Sequence, residues 1–385
     1  MKIALLYDAP MSLLEGRLRM DRGYGIRIDA LAEYFDHVVV CNTVAKSSIP
    51  EANYELRSPN VSLVPLPYFQ RVADCPWVLL GCARRIWQAS RSWDLLYMTL
   101  PSPLAVMGYV SVRMRGIPVV LAVAGDLDAQ YERDRYRGIR GVAARTAVKL
   151  FECATYWMVN HAMTITQGEA LCRKYQRKGN RAMNLPWSPI TQDVIVSRED
   201  TCLGPRIRLL FVGTLLERKG IFVLVETAKL LLKQMDNFVV TYVGAGPLAG
   251  ELARSIDDAG LSDYVELKGG VYNESNLWRE YDAADIFVFP TYAEGFPRVI
   301  LEAMARGLPV VSTRVSGIPG LVKDHALLVS PGSPYEVAEA ILKVIDDPML
   351  RRNLIRGGRE IARQYTLEET TRRRAEAIRS VLLPV

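Results

Sequence analysis

The sequence contains few of the residues that build disulfide or zinc sites. Its six cysteines in 385 residues include no C-x-x-C pair and are too sparse for a disulfide scaffold. The three histidines are scattered and lack the spacing of zinc ligands. These absences exclude a small disulfide-rich fold and favour buried thiols in a reducing compartment. G-x-S-x-G and Walker A patterns are missing as well, so no motif supports a serine hydrolase or a P-loop enzyme.

Long hydrophobic runs are also missing. The longest uncharged stretch, residues 95–112, is interrupted by Pro101 and Pro103, and no apolar run approaches the roughly 18 residues that a membrane span needs. The first residues, MKIALLYDAP, have no long apolar region before Asp8, which favours a first strand over a signal peptide. We therefore expect a cytoplasmic protein without a membrane span.

The charge is uneven along an otherwise ordinary globular composition, which is 50% apolar and 23% charged. Residues 1–204 contain 25 Lys and Arg against 19 Asp and Glu, whereas residues 205–385 contain 23 of each, so the net charge of +6 comes from the first half. Residues 133–149 hold six basic residues and one acid, Asp134. This bias predicts either an anionic partner, such as a phosphate or a membrane surface, or a solvated helix face.

Short aliphatic runs alternate with helical patterns in both halves of the chain, at the spacing of βαβ units. Each half is therefore predicted to be an α/β domain with a doubly wound parallel sheet. The predicted strands are residues 2–7, 38–42, 61–64, 95–98, 119–123, 163–166, 207–212, 238–243, 265–268, 286–289, 310–312 and 327–329.

A stretch rich in proline and turn-forming residues separates the halves. The segment LPWSPITQDVIVSREDTCLGPR places the boundary near residues 185–205, which predicts one domain at residues 1–190 and another at 191–365. Ligands of doubly wound domains bind at the carboxyl ends of the strands. Two such domains therefore predict a ligand site in a crevice where the two sheets face each other.

The most specific motif is TYAEGFPRVILEAMARGLP, residues 291–309, directly after a predicted strand. Pro297 suits the first turn of a helix, and Gly307 with Pro309 suits its end. Gly295 lets the backbone pass close to a ligand. The first-turn N–H groups of the helix predict a phosphate site at its positive end. These N–H groups belong to Arg298, Val299 and Ile300.

Two carboxylates frame this motif. Glu302, in the second turn, is placed to accept hydrogen bonds from a ribose, and Glu294 precedes the helix and faces the ligand. Taken alone, two glutamates at this spacing are more typical of an ordinary amphipathic helix with solvated acids. The preceding strand and the E-G-F-P sequence favour the binding site instead.

A second motif, LFVGTLLERKG, leads from a predicted strand through Gly213 to Arg218 and Lys219 before the next helix. Cations are unfavourable at a helix N-terminus unless an anion also binds there. The two side chains therefore predict a diphosphate site without a metal, with two solvated charges as the alternative.

Two weaker patterns leave alternatives open. VGAGPLAG, residues 243–250, is close to a nicotinamide-binding fingerprint, but its third glycine is one residue late, so a tight turn is favoured. The D-x-D of Asp126 and Asp128 is a pattern that some sugar transferases use to hold Mg²⁺ or Mn²⁺, although three-residue patterns are common.

The motifs together resemble glycosyltransferase family 4, the glycosyl transferases group 1, whose members are retaining, metal-independent enzymes of the GT-B fold. The resemblance is strongest at residues 208–380, and rests on Gly213 with Lys219–Gly220, on residues 243–247 and 281–290, and on EGFPRVILEAMARGLPVV at 294–311. It implies two Rossmann-like domains facing a cleft, and a C-terminal helix at residues 366–385 that crosses back to the first domain.

The resemblance also implies roles for individual residues. Lys219 with Arg218 holds the donor diphosphate, Glu302 binds the ribose, Gly270 and Val271 lie beside the base, and Glu294 meets the sugar. The expected catalytic residues are Lys219, Glu294 and Arg218. The expected donor-binding residues are Gly213, Thr214, Gly270, Val271, Gly295, Phe296, Pro297, Arg298, Val299 and Glu302, with Gly25 and Asp126 on the acceptor side and no metal ligand.

The sequence departs from the family pattern at three places. Thr214 replaces the usual arginine after Gly213, and Ala124 stands where many members have a histidine. The glycine-rich loop after the first strand is altered, with Gly23 and Gly25 in RMDRGYGIRIDALAEYF, which leaves Gly25 as the candidate for close backbone approach to a ligand.

The function that these observations predict is transfer of a sugar from a UDP- or GDP-sugar to an acceptor hydroxyl in bacterial surface polysaccharide or glycolipid assembly. No cofactor or divalent metal is expected. The expected partners are the nucleotide sugar, a carbohydrate or lipid-linked acceptor and the anionic inner face of the cell membrane. No nucleic acid is expected as a partner. A non-catalytic nucleotide-sugar-binding or scaffold protein is the alternative; an epimerase or a dehydrogenase is less favoured.

Overall fold

The structure is a computed structural model that describes residues 1–7, 9, 11–14, 16–45, 49, 52–68, 77–125, 138–176, 182–271 and 273–382, without the side chains of 138–145 and 147. The chain divides into two compact units. Unit 1 comprises Met1–Pro189 and Thr370–Val385, and unit 2 comprises Ile190–Glu369.

In the described part of unit 1, ten strands form one sheet with the order β10-β9-β8-β7-β1-β4-β2-β3-β5, and β6 pairs with β4. The strands are β1 (Lys2–Leu6), β2 (Met11–Leu14), β3 (Arg17–Met20), β4 (His37–Ala45), β5 (Tyr54–Glu55), β6 (Val61–Leu66), β7 (Leu95–Leu100), β8 (Val119–Val123), β9 (Met163–Thr166) and β10 (Ala182–Asn184). The pairs from β10 through β1 and β4 to β6 are parallel, whereas β3 is antiparallel to β2 and β5.

The helices between these strands bury one apolar side each. They are α1 (Arg22–Ala32), α2 (Trp77–Ala89), α3 (Pro103–Arg113), α4 (Gly138–Asn160) and α5 (Glu169–Tyr175). Ile86 of α2, Tyr109 of α3 and Met158 of α4 join Ala4 and Leu6 of β1 in one hydrophobic cluster. Because side chains alternate between the faces of a strand, residues two apart on β1 reach the same helix layer.

Unit 2 has a single parallel sheet of six described strands in the order β13-β12-β11-β14-β15-β16. They are β11 (Ile207–Val212), β12 (Phe238–Val243), β13 (Val265–Gly269), β14 (Ile286–Phe289), β15 (Val310–Thr313) and β16 (Leu327–Val329). The helices are α6 (Ile221–Leu232), α7 (Ala249–Asp258), α8 (Glu274–Ala283), α9 (Arg298–Ala305), α10 (Ile318–Val322), α11 (Pro334–Asp346), α12 (Pro348–Gln364) and the final α13 (Leu367–Ser380).

The strand order of unit 2 reverses between β11 and β14. In parallel doubly wound sheets, ligands bind at the carboxyl ends of the strands at such a reversal. The loops that follow β11, β12, β13 and β14 all emerge at this edge because the four strands are parallel. The fold therefore brings together segments that are up to about eighty residues apart in sequence.

The prediction of two doubly wound parallel sheets is confirmed, and all twelve predicted strands are present. Strands β2, β3, β5 and β10 were not predicted. Around Gly25 the prediction of a glycine-rich loop is wrong, since this segment forms the β2–β3 hairpin followed by α1. Gly25 lies inside α1, and a Cβ there would be 2.2 Å from the ring of Tyr54. The close approach that requires glycine in this structure is therefore to Tyr54.

The final helix contains the second boundary between the units. Its first residue, Leu367, donates its N–H to the carbonyl of Ile190 within unit 2. Further along, the fully buried Arg374 donates to Tyr97 Oη at 2.6 Å and to the carbonyl of Leu185, both in unit 1. The units thus divide at 189/190 and 369/370, one and four residues from the expected positions 190/191 and 365/366.

Within the residues that the structure describes, no helix is both long enough and apolar enough to cross a membrane.

Candidate active site

The loops after β11 and β14 are held together by close backbone packing and hydrogen bonds. Gly220 has φ +72°, and a Cβ there would lie 1.9 Å from the carbonyl oxygen of Pro290, so only glycine fits without displacing backbone. The carbonyl of Arg218 accepts hydrogen bonds from the N–H of Tyr292 at 2.8 Å and from Thr291 Oγ1 at 2.9 Å. These contacts fix the relative position of the two segments in which the sequence predicts catalytic residues.

Lys219 and Glu294 meet where these loops join. The Lys219 ammonium contacts the Glu294 carboxylate, and both side chains are largely buried, with 12% and 16% exposure. The ammonium also lies 5.1 Å from the centre of the Phe289 ring, in a cation–π contact. Packing on both sides therefore holds the lysine charge at the carboxyl edge of the sheet.

An open pocket of about 290 Å³ lies beside the ends of β11, β12 and β13. Its lining brings together four of the predicted donor-binding residues, Gly213, Thr214, Gly270 and Val271. A second pocket of about 430 Å³ shares Gly270 and Val271 and extends along α8, where its lining includes Arg279. The two pockets together form a groove of the size that a nucleotide requires.

The first two glycines of VGAGPLAG let the loop after β12 pack closely against the loop after β11. A Cβ on Gly244, at φ +154°, would be 1.9 Å from the carbonyl oxygen of Gly213, and one on Gly246 would be 2.4 Å from that of Leu215. The backbone of this turn therefore approaches the loop after β11. The favoured interpretation, a tight turn, accounts for both glycines without a nicotinamide site.

Glu302 projects from α9 and is oriented by Tyr281, which the sequence analysis did not identify. Tyr281 Oη donates a hydrogen bond of 2.8 Å to one carboxylate oxygen, and the other oxygen has no hydrogen bond to the described part of the chain. Burial raises the pKa of the Glu302 carboxyl, although the bond from Tyr281 acts in the opposite direction. Burial, and then the charge of Glu302, raise the pKa of Tyr281 well above its usual value, so the phenol stays a donor.

The start of α9 differs in detail from the expectation. The helix begins at Arg298, with the buried Pro297 just before it. Of the three N–H groups predicted to be free, that of Arg298 donates to the carbonyl of Phe296 and that of Ile300 to the carbonyl of Pro297, each at 3.1 Å. The N–H of Val299 has no hydrogen bond to any described residue. The expectation of three free donors is therefore wrong, and one remains.

The loop before α9 is open at Gly295 and packed against other residues at Phe296. A Cβ on Gly295 would have no atom within 4 Å. A Cβ on Gly317 would lie 2.4 Å from the carbonyl oxygen of Gly295. The backbone of Gly317 therefore packs closely against this loop and supports it. Phe296 packs its ring against Tyr365 at 5.7 Å. Phe296 is therefore a structural anchor of the loop, and the open side is at Gly295.

The other predicted residues are less well placed or lie elsewhere. The side chain of Arg218 is exposed and makes no hydrogen bond to the residues described. Ala124 is exposed directly after β8 in unit 1. Asp126 and Asp128 lie outside the described residues, as do residues 133–137 of the basic segment. Among the described residues, no group of three or more His, Cys, Asp or Glu is arranged to hold a metal ion.

Comparisons with known proteins find similarity over the part of the chain that contains these residues. Residues 200–361 match the model of the family described as glycosyl transferases group 1. The amylovoran biosynthesis glycosyltransferase AmsK of Erwinia amylovora is 37% identical over 146 residues, which are 36% of this chain and 36% of AmsK. The putative colanic acid biosynthesis glycosyltransferase WcaL of Salmonella typhimurium is 29% identical over 189 residues, 46% of each chain. The chain thus spans less than half the length of these relatives.

Structural similarity extends over both units. The crystal structure of Anabaena Alr3699/HepE in complex with UDP superimposes with a TM-score of 0.74, covering 99% of this chain and 100% of HepE at 17% sequence identity. At that identity the similarity defines the fold, which is the GT-B fold. Residues 200–361 are therefore similar to the glycosyl transferases group 1 family, and the chain has the GT-B fold.

Proposed function

We propose that this protein transfers a sugar from a UDP- or GDP-sugar to an acceptor hydroxyl, with retention at the anomeric carbon and without a divalent metal. The observation that carries the proposal is the buried Lys219 charge, held at the edge of the unit 2 sheet where the loops bordering the nucleotide-sized groove emerge. A fixed cation at that place neutralises the diphosphate that leaves as the glycosidic bond breaks.

In this mechanism, binding of the donor replaces one contact within the site. The diphosphate takes the place of Glu294 on the Lys219 ammonium, which frees the Glu294 carboxylate to accept hydrogen bonds from the sugar hydroxyls. The free N–H of Val299 donates to a phosphate oxygen at the positive end of α9. Because these groups are positioned before the reaction, they stabilise the developing charge with little reorganisation.

The nucleoside lies along the groove. The base rests beside Gly270 and Val271, and the unoccupied oxygen of Glu302 accepts from a ribose hydroxyl. Tyr281 keeps that carboxylate in one orientation. HepE, a structural neighbour crystallised with UDP, supports a uridine nucleotide as the ligand.

The acceptor hydroxyl attacks on the face of the sugar from which the diphosphate leaves. An oxygen of the leaving phosphate takes the acceptor proton, so the chemistry needs no histidine at the position of Ala124. We assign no protein nucleophile. Alignment of the acceptor beside the donor supplies the remaining rate enhancement.

The acceptor that we propose is a carbohydrate or lipid-linked sugar in surface polysaccharide or glycolipid assembly. The names of AmsK and WcaL, which refer to amylovoran and colanic acid biosynthesis, support this class. The basic segment at residues 133–149 supports a location at the inner face of the cell membrane, because anionic lipids attract such segments.

The proposal is tested by incubating the protein with a panel of UDP- and GDP-sugars and measuring release of the nucleoside diphosphate. An enzyme releases UDP or GDP, faster when a suitable acceptor is present. The alternative, a non-catalytic nucleotide-sugar-binding or scaffold protein, is suggested by Thr214 and Ala124. It would bind the donor, as calorimetry would show, and release no nucleoside diphosphate.

The variant Gly295→Ala tests where the sugar lies. A methyl group fits there without touching protein, so the melting temperature should stay as in the native protein. If the donor passes beside Gly295, its Kd should rise about tenfold or more, equivalent to about 1.4 kcal/mol. Gly250→Ala, another position with open space, serves as the control. An unchanged donor affinity in Gly295→Ala would place the sugar elsewhere.

A further inference from the structure

The second pocket of the groove is polar, and α8 forms one of its walls. It shares Gly270 and Val271 with the first pocket, whereas Gly213 and Thr214 line only the first. The other described residues that line it are Asn273, Asn276, Arg279 and Glu280. Residues three and four apart on a helix share a face, so these side chains belong to one wall. In the proposed complex this pocket receives the base, because the diphosphate binds on the side of the loop after β11.

Glu280 is the only carboxylate among the described residues of this pocket. Its side chain is partly buried and makes no hydrogen bond or ion pair with the part of the chain that the structure describes. The pKa of the nearby Lys268 ammonium is raised chiefly by its ion-pair partner Glu266, at 2.6 Å, and to a smaller extent by the charge of Glu280. Both oxygens of Glu280 are therefore available to a ligand. Their partial removal from water is unfavourable until a ligand donates hydrogen bonds to them.

The two asparagines of the same wall offer donors. Asn273 Oδ1 accepts the N–H of Asn276 at 3.3 Å, and Asn276 Oδ1 accepts from the Arg279 guanidinium at 3.4 Å. Each amide oxygen is thus used within α8 and its cap, while neither amide NH₂ group makes a hydrogen bond to the residues described. The pocket therefore presents donors at the start of α8 and the acceptor Glu280 one turn beyond Asn276.

We propose that Glu280 selects guanine, so that the donor is a GDP-sugar; this inference rests on the proposed function. The two carboxylate oxygens accept the parallel N1–H and 2-amino N–H of guanine, and the asparagine NH₂ groups are donors for O6 and N7. Uracil has a single ring N–H between two carbonyl oxygens. It would leave one carboxylate oxygen of Glu280 without a donor and facing a carbonyl oxygen, which is unfavourable in a partly buried site.

The similarity to HepE does not decide the base. HepE was crystallised with UDP, but it is 17% identical to this chain, and similarity at that level defines the fold alone. The base is distinguished by the individual side chains that it meets. In this chain those are the carboxylate of Glu280 and the amides of Asn273 and Asn276.

Calorimetry with GDP, IDP and UDP tests the inference on the native protein. IDP differs from GDP only in lacking the 2-amino group, so its Kd should be about tenfold higher than that of GDP, the effect of one charge-assisted hydrogen bond. The Kd of UDP should be about a hundredfold higher. The variant Glu280→Gln should bring the Kd values of GDP and IDP within about twofold of each other and leave the Kd of UDP unchanged.

The matched control is Glu251→Gln. Glu251 is an exposed acid of α7 that lines neither pocket, so this variant removes the same charge from unit 2 and should keep the full preference for GDP. Melting temperatures of both variants show whether they are folded. The comparison of GDP with IDP needs no variant, so it remains a test even if Glu280→Gln does not fold.

The outcomes separate this inference from the proposed function. Equal Kd values for GDP and IDP in the native protein, or a Kd for UDP no higher than that for GDP, would overturn the selection of guanine and leave the proposed transferase standing. A full preference for GDP over IDP in folded Glu280→Gln would overturn the role of Glu280. Binding of none of the three nucleotides would overturn both the inference and the proposed function.

Discussion

Replacing Lys219 by alanine is expected to lower nucleoside diphosphate release by about a hundredfold to a thousandfold. The Lys219 ammonium contacts the Glu294 carboxylate and the Phe289 ring. These contacts hold it where the loops after β11 and β14 meet. Its loss removes the charge that stabilises the departing diphosphate. The affinity for UDP or GDP, measured by calorimetry, should fall as well, because the same contact holds the nucleotide in the ground state.

The matched control is Lys229→Ala. Lys229 is an exposed lysine on α6 that pairs with Glu226 at 2.9 Å, within the same unit and away from the groove. Its removal should leave both turnover and melting temperature close to native, since exposed pairs contribute about 0–1 kcal/mol. Near-native turnover in Lys219→Ala, in a sample whose thermal unfolding shows a folded protein, would remove the proposed diphosphate site.

The variant Gly220→Ala is expected to destabilise unit 2 by about 2–5 kcal/mol. The left-handed backbone at φ +72° is costly for alanine, and the new Cβ would meet the carbonyl oxygen of Pro290 at 1.9 Å. Either Gly220 or the loop after β14 must move, which separates Lys219 from Glu294. Urea unfolding should show a lower midpoint, and nucleotide affinity should fall in the fraction that remains folded.

Gly250→Ala provides the comparison for this stability effect. Gly250 lies within α7, has no atom within 4 Å of a new Cβ and has no positive φ. Alanine is therefore expected to stabilise this helix by about 0.5–1 kcal/mol. If the two variants unfolded at the same urea concentration, the close contact between the loops would not exist in solution.

The sequence predicted the parallel core well for a physical reason. Strands buried on both faces, such as VVLAV in β8, read as continuous aliphatic runs that stand out from the surrounding helices. Strands β2 and β3 were missed because MSLL and RLRM are short and mix polar with apolar residues. Strand β2 joins the sheet through the long β4, a contact that no local pattern contains.

The candidate site was predictable where the chemistry is local. The placement of Lys219 and Glu294 at neighbouring strand ends follows from their motifs and the parallel topology. The role of Tyr281 could not be predicted from a local motif, because its hydrogen bond to Glu302 joins residues in two different helices. A tyrosine in a helical pattern is usually interpreted as a core residue. The hydrogen bonds that occupy the N–H groups of Arg298 and Ile300 depend on the exact backbone path before α9, which the sequence does not reveal.

A crystal structure with UDP or GDP bound would show whether the donor binds at this edge of the unit 2 sheet. We expect the diphosphate on the Lys219 ammonium in place of Glu294, the base beside Gly270 and Val271, and a ribose hydroxyl on Glu302. A nucleotide bound elsewhere, with Lys219 still paired to Glu294, would rule out the proposed donor site.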